Sequence, residues 1–291
     1  METPSPLVGL IPTAIQQTAR VVEQVELARD TYRLRLDCPD LARQILPGQF
    51  FMIKEPDTSD PLLGRPFALY DVVRDESNQP WGIDFGYLVI GKLTQRMTGW
   101  TSGDEVTLWG PLGNGFPTPP GGHLVIVAGG IGQTPFLAVT REALGLGRYG
   151  DPPRDLVERP DRLTLCYGVR SADYLAGLDD FSVEGLEVRV ATDDGSQGHY
   201  GLVTEVLEQV LDDSSGPVTI YTCGPEPMME AVAGIAVSRE LACLASLETP
   251  MACGFGICFS CVTRVRLADG GWDYRRTCVE GPVFSADRLE W

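Results

Sequence analysis

Apolar residues in this chain change their spacing once, near His123, and that change divides the sequence into two kinds of fold. From about Val21 to Pro120 they alternate in short runs, as in Tyr32, Leu34, Leu36 and in Ile83, Phe85, Tyr87, Val89. A period of two belongs to antiparallel strands with one buried face, and the frequent Gly and Pro between runs favour a small closed β-barrel. From His123 onward the runs become continuous: HLVIVAGG, RLTLCYGV, LEVRVATDD, PVTIYTCG and ACLASLE. Such runs suit strands buried on both faces. Between them Leu202, Val203, Val206, Leu207, Val210 and Leu211 recur at helical spacing. Strands alternating with helices predict a doubly wound parallel α/β sheet. The polar segment from Tyr149 to Arg162 reads as a loop, and after Glu248 periodicity disappears while Gly and Cys rise. The expected organisation is an N-terminal extension over 1–20, a β-barrel over 21–120, an α/β domain over 121–248 and a small tail over 249–291.

Charge and hydropathy remove several classes of function. With 40 acidic against 23 basic residues the formal charge is −17, a field that repels nucleic-acid backbones and anionic membrane. The longest apolar run, LVIVA at Leu124 to Ala128, is far short of the ~18 residues that span a bilayer. No basic residue precedes Arg20, so the first stretch lacks the layout of a secretory signal and a cytoplasmic location is expected.

In that compartment the eight cysteines are not expected to form disulfides. Cys253, Cys258, Cys261 and Cys278 are separated by four, two and sixteen residues. The close trio has the spacing of a plant-type 2Fe-2S loop, where Gly254 and Gly256 would let backbone N–H groups approach the sulfides. A structural zinc site is the alternative, although zinc ribbons usually carry a second C-x-x-C, which is absent. Cys38, Cys166, Cys223 and Cys243 are scattered.

Three further motifs sit at turns. GGIGQTPF, with Gly129, Gly130, Gly132 and Thr134, follows the strand LVIVA and precedes a helical pattern. Glycines there would admit a pyrophosphate, or simply a tight turn. CGPEPMM, with Cys223, Gly224 and Pro225, ends a second buried strand, again either a ligand-binding turn or an ordinary one. In the barrel, GRPFALY places Arg65 where its guanidinium could fork onto a diphosphate or join a surface salt bridge. GKLT and GPLGNGF add permissive turns without specificity. Met228 and Met229 read as core, Asp193 and Asp194 as a solvated loop, and His123 and His199 have no metal-ligand spacing.

Taken in order, RPFALY, GKLT, GPLGNGF, GGIGQTPF, ATDDGSQG, CGPEPMM, MACGFGICFSC and CVEGP resemble the ferredoxin-reductase-like superfamily, and within it the electron-transfer subunits of dihydroorotate dehydrogenase. The resemblance covers nearly all of Val21 to Trp291. It implies FAD in the barrel, NAD in the α/β domain and a 2Fe-2S cluster in the tail. Carried over by position, Arg65, Pro66, Phe67, Ala68, Tyr87, Leu88, Leu93 and Thr94 would contact FAD, while Cys223 and Gly224 would lie near the nicotinamide. Two positions depart from the family pattern. Ala68 stands where a Ser is usual, and Gly91, Lys92, Leu93, Thr94 replace G-x-G-T.

The resemblance further implies a hetero-oligomer, a heterotetramer in this family, in which an FMN-containing catalytic subunit oxidises dihydroorotate in pyrimidine biosynthesis. Electron number sets the order of the cofactors: the cluster moves single electrons, NAD takes a hydride, and FAD handles both. Two rivals remain at this point. One is an NAD(P)H-linked reductase subunit of a sulfide dehydrogenase or hydrogenase, the other a non-catalytic interaction module with structural zinc. Arg170 leaves NAD against NADP open, and NAD rests on the resemblance.

Overall fold

The computed structural model describes residues 14–156 and 158–291, so residues 1–13 of the expected extension lie outside it. The first sheet contains β1 (Ile15–Ala28), β2 (Thr31–Asp37), β3 (Phe50–Lys54), β4 (Arg65–Ala68), β5 (Asp71–Arg74), β6 (Pro80–Leu88) and β7 (Glu105–Leu112). Its order is β4-β3-β7-β1-β2-β6-β5, antiparallel throughout. The curl brings β4 against β6 and makes the sheet barrel-like. Two short helices, α1 (Pro39–Gln44) and α2 (Lys92–Met97), fill connections. β1 starts at Ile15, inside the stretch read as an extension. Its residues up to Arg20 pair with β7, but IQQTAR is mostly polar and half-exposed and so gives no apolar alternation.

Alternation along β3 and β7 serves two cores at once. Phe51, Ile53, Val106 and Leu108 point into the barrel, among Leu34, Leu36 and Phe85. Their neighbours Phe50, Met52 and Trp109 point the other way and pack with Leu112, Met251, Cys261 and Cys278. The outer face of the barrel is therefore the floor of the cysteine tail.

The second sheet is built from β8 (His123–Gly129), β9 (Arg162–Val169), β10 (Leu186–Thr192), β11 (His199–Tyr200), β12 (Val218–Cys223) and β13 (Ala242–Ser246), all parallel. The central strands are buried on both faces, which is why their sequences are continuous rather than alternating. α3 (Phe136–Ala143) covers the face towards the barrel, with Phe136, Leu137 and Val139 in the core. α4 (Val203–Asp212) and α5 (Glu226–Ser238) cover the other, through Val206, Leu207, Val210 and Val232.

The tail holds a hairpin of β14 (Val262–Arg266) and β15 (Trp272–Arg276). It then returns to the α/β sheet, where β16 (Val283–Ser285) pairs antiparallel with β13 as the seventh strand. Among the described residues no helix is long and apolar enough to cross a membrane.

Candidate functional site

The barrel and the α/β sheet meet around a cavity of about 540 Å³, within the size range typical of cofactor pockets. Its walls contain all eight barrel positions singled out by resemblance, Arg65 to Ala68, Tyr87, Leu88, Leu93 and Thr94, and two from the α/β domain, Thr134 and Cys223. Phe67 packs against Phe85 at 4.9 Å between ring centroids, and Tyr87 stacks on Tyr32 at 5.5 Å. The Tyr87 hydroxyl donates to Gln24 at 2.8 Å, so the wall is stiff and mostly apolar.

Arg65 donates through Nη1 to the carbonyls of Leu63 and Gly64, at 2.9 and 3.0 Å. It forms no ion pair among the described residues, unlike Lys92 with Asp60 and Arg96 with Glu55 nearby. The surface salt bridge considered for Arg65 is thus not formed, and a half-buried guanidinium with free N–H groups faces a cavity, as an anionic diphosphate requires. Thr94 Oγ1 accepts from the backbone N–H of Gly91 at 3.0 Å and closes the turn before α2.

The remaining α/β positions lie at the C-terminal ends of β8 and β12 rather than in the cavity wall. Gly129 ends β8, and Gly130 and Gly132 follow it; Gly224 and Pro225 follow β12. The two turns pack on each other. A Cβ on Gly132 would lie 2.6 Å from the Cys223 carbonyl carbon and 2.7 Å from Gly224 Cα, and one on Gly129 would lie 2.8 Å from Pro225. The sequence offered these glycines either to close approach of a pyrophosphate or to a tight turn. Here Gly129 and Gly132 serve close approach of one turn to the other. Gly130 is different: φ is +55° and no atom lies within 4 Å of its Cβ position. It leaves an open cradle at the end of β8, where such sheets bind nucleotides. Thr134 reaches across to the barrel, its methyl 2.5 Å from the place a Cβ on Gly86 would take.

A residue that the motifs did not reveal completes this wall. Glu248, two residues beyond β13, opens onto the cavity beside Cys223 and Ser246. Glu248 stays open to solvent, and the protein packed around its carboxyl raises its pKa. Burial, then the nearby Glu248 charge, raises the Cys223 thiol well above its usual range, so it is held neutral. The available signal was positional, since Glu248 follows the C-terminal end of a parallel strand.

The four tail cysteines fall into two pairs. Cys258 accepts hydrogen bonds from Ser260, 3.1 Å away, and from Cys253, which lower its pKa to about 6. Cys261 is likewise lowered to about 6, chiefly by Cys278, whose own proton is held correspondingly tighter. Depressed thiols favour the thiolate, the ligating form. Among the described residues no three His, Cys, Asp or Glu side chains are grouped to hold one metal ion. Two pairs suit two bridged irons better than a single tetrahedral zinc. Cys258 is exposed and Cys253 partly so, whereas Cys261 and Cys278 are buried against the barrel. Gly254 and Gly256 both have positive φ, +80° and +83°. A Cβ on Gly254 would also strike Met52, at 2.7 Å.

The model of the iron-sulfur cluster binding domain of dihydroorotate dehydrogenase B matches residues 248–290, and that of the oxidoreductase NAD-binding domain matches residues 126–234. A dihydroorotate dehydrogenase B (NAD(+)) electron transfer subunit from Desulforamulus reducens is 34% identical over 94% of this chain and 97% of its own length. The chain belongs to this family. A relative of the same description from Geobacillus thermodenitrificans is 35% identical over 92% of this chain and 96% of its own. A solved structure described as an NADH-dependent reduced ferredoxin-NADP oxidoreductase has the same fold, with a TM-score of 0.78 at 24% identity, over 94% of this chain and 90% of that one.

Proposed function

We propose that this chain is the electron-transfer subunit of an NAD-linked dihydroorotate dehydrogenase, working in the cytoplasm beside an FMN-containing catalytic subunit in a hetero-oligomer. One observation carries the reading: the buried cysteine pair shares a wall with the cavity. Phe50 and Met251 pack with Cys261 and Cys278 on one side and line the cavity on the other. When bound, a 2Fe-2S cluster supplies one-electron transfer, FAD couples it to two-electron chemistry, and NAD accepts a hydride.

The chain's own residues position and insulate these groups. Cys253 and Cys258 would ligate the outer iron, Cys261 and Cys278 the inner one. Arg65 would neutralise the FAD diphosphate, with Pro66, Phe67, Ala68, Tyr87, Leu88, Leu93 and Thr94 against the rest of the cofactor. Gly130 leaves room for the NAD pyrophosphate, held by the turns of Gly129 to Thr134 and Cys223 to Pro225, and the neutral Cys223 presents a compact, uncharged surface to the nicotinamide. Residues 249–291 carry five Arg against three Asp and two Glu. The whole formal charge of −17 therefore lies elsewhere, and a neutral face with Ile257, Phe259, Trp272 and Tyr274 exposed suits contact with another subunit.

Co-expression with a candidate dihydroorotate-oxidising subunit should give NAD reduction that depends on dihydroorotate, while the chain alone should oxidise NADH with dyes but leave dihydroorotate untouched. Dihydroorotate oxidation by the isolated chain would overturn the reading.

A further inference from the structure

Trp109 touches both halves of the redox path. It lies on β7 between Leu108, which points into the barrel, and Gly110, so its ring emerges on the outer face. There the cysteine tail covers it. Its indole Nε1–H donates to the backbone carbonyl of Cys253, the first cysteine of the loop, at 2.9 Å. The far edge of the ring abuts Gly64, where a Cβ would be 2.5 Å from the ring carbon Cη2 and 3.0 Å from the Ile53 carbonyl oxygen. Gly64 is the residue whose carbonyl Arg65 holds. One rigid side chain therefore spans from the loop that aims Arg65 into the cavity to the loop that aims Cys253 at its partner cysteine.

We propose that Trp109 is a positioning residue that fixes the cluster loop relative to the flavin cavity. The proposal rests on the cluster and flavin assignments made above. A Trp N–H at a half-buried site needs an acceptor, and here the acceptor is the carbonyl of a ligand residue. The donor's positive end lies on the backbone carbonyl of Cys253, where it offsets that carbonyl's negative end and so favours the more negative, reduced state of the site, as outer-shell donors do. The missing side chain at Gly64 is what admits the ring.

Two substitutions separate the ring from its hydrogen bond. Trp109→Phe keeps an aromatic ring and removes the donor; Gly64→Ala keeps the donor and displaces the ring. Each purified chain is analysed for iron, labile sulfide and FAD, then titrated anaerobically with the cluster followed by EPR. Trp109→Phe should keep parental iron and sulfide but make the cluster harder to reduce, by about threefold in the one-electron equilibrium, or ~28 mV at 59 mV per tenfold. Gly64→Ala should change the g values of the reduced cluster although Gly64 lies outside the tail, and should also lower FAD content. Parental potentials and g values in both variants, with full iron and sulfide, would overturn the proposal. Should Trp109→Phe fail to fold, Gly64→Ala carries the test alone. A parent chain lacking iron and sulfide overturns the cluster assignment, and the proposal with it.

Discussion

Replacing Gly132 with Ala tests whether the two strand-end turns must touch for the nucleotide to bind. The new Cβ would meet the Cys223 carbonyl carbon at 2.6 Å and Gly224 Cα at 2.7 Å, and both are backbone atoms that cannot rotate away. Ordinary contact begins near 3.4 Å and the Cys223 carbonyl oxygen lies nearer still, so the turns must part by about 1 Å. Overpacking of this kind costs about 1–3 kcal/mol, roughly 2–4 °C of melting temperature per kcal/mol in a chain of this size. The kinetic effect should be larger than the loss of stability suggests, because a misplacement near 1 Å can cost about 10²-fold in rate. NADH–dye reductase activity should therefore fall by one to two orders of magnitude in kcat/KM, with FAD content unchanged. Gly216→Ala, between α4 and β12 and away from both turns, is the control. It meets no neighbour, and its cost is the left-handed φ, about 1–2 kcal/mol. Parental NADH kinetics in Gly132→Ala, or an equal loss in both variants, would refute the argument.

Arg65→Ala should lower FAD retention on gel filtration while leaving the circular dichroism spectrum of the fold intact, since a charged contact is lost from a site that water refills; full flavin occupancy would remove Arg65 from the diphosphate. Cys258→Ala and Cys278→Ala should each lose iron and labile sulfide but keep flavin, and zinc in place of iron in the parent would sink the cluster assignment. His123 gives a pH test of stability. Burial holds its pKa down to about 4, with its ring nitrogens on Ser214 and Thr164 hydroxyls at 2.8 and 2.9 Å. The unfolded chain takes up a proton below about 6.5 and the folded chain does not until about 4. Stability should thus fall by about 2–3 kcal/mol between those values and then level off. Urea midpoints measured across that range should be flatter for His123→Asn, and an unchanged slope would show that other groups set the acid limit.

The architecture was largely legible because it is written in local periodicity. Every continuous apolar run from His123 onward is a strand of the parallel sheet, and Val203 to Leu211 lie on α4. The cysteine spacing and the RPFA strand were readable as motifs for the same reason. What escaped is long-range. β1 begins among polar residues that gain their place only by pairing with β7, and β16 is three residues long, too short for any period. Phe50 and Met52 look like ordinary strand residues until the tail folds across them, and Glu248 acquires its surroundings only when β13 is laid beside β12. The glycines were half legible. Their need for room could be read, but whether a ligand or a neighbouring turn fills that room depends on contacts between residues some ninety positions apart.

The return of the chain through β16 has a topological consequence. The cysteine-bearing segment leaves the sheet after Ser246 and re-enters it at Val283, on the strand next door. It is an excursion with two adjacent stems, so its ends cannot drift apart while β13 and β16 stay paired. Cutting the chain after Glu248 would strip an edge from the nucleotide-binding sheet as well as the cysteines. An engineer wishing to move this redox element into another reductase would have to transplant both stems and the pairing between them, or delete between the stems and join them with a short turn.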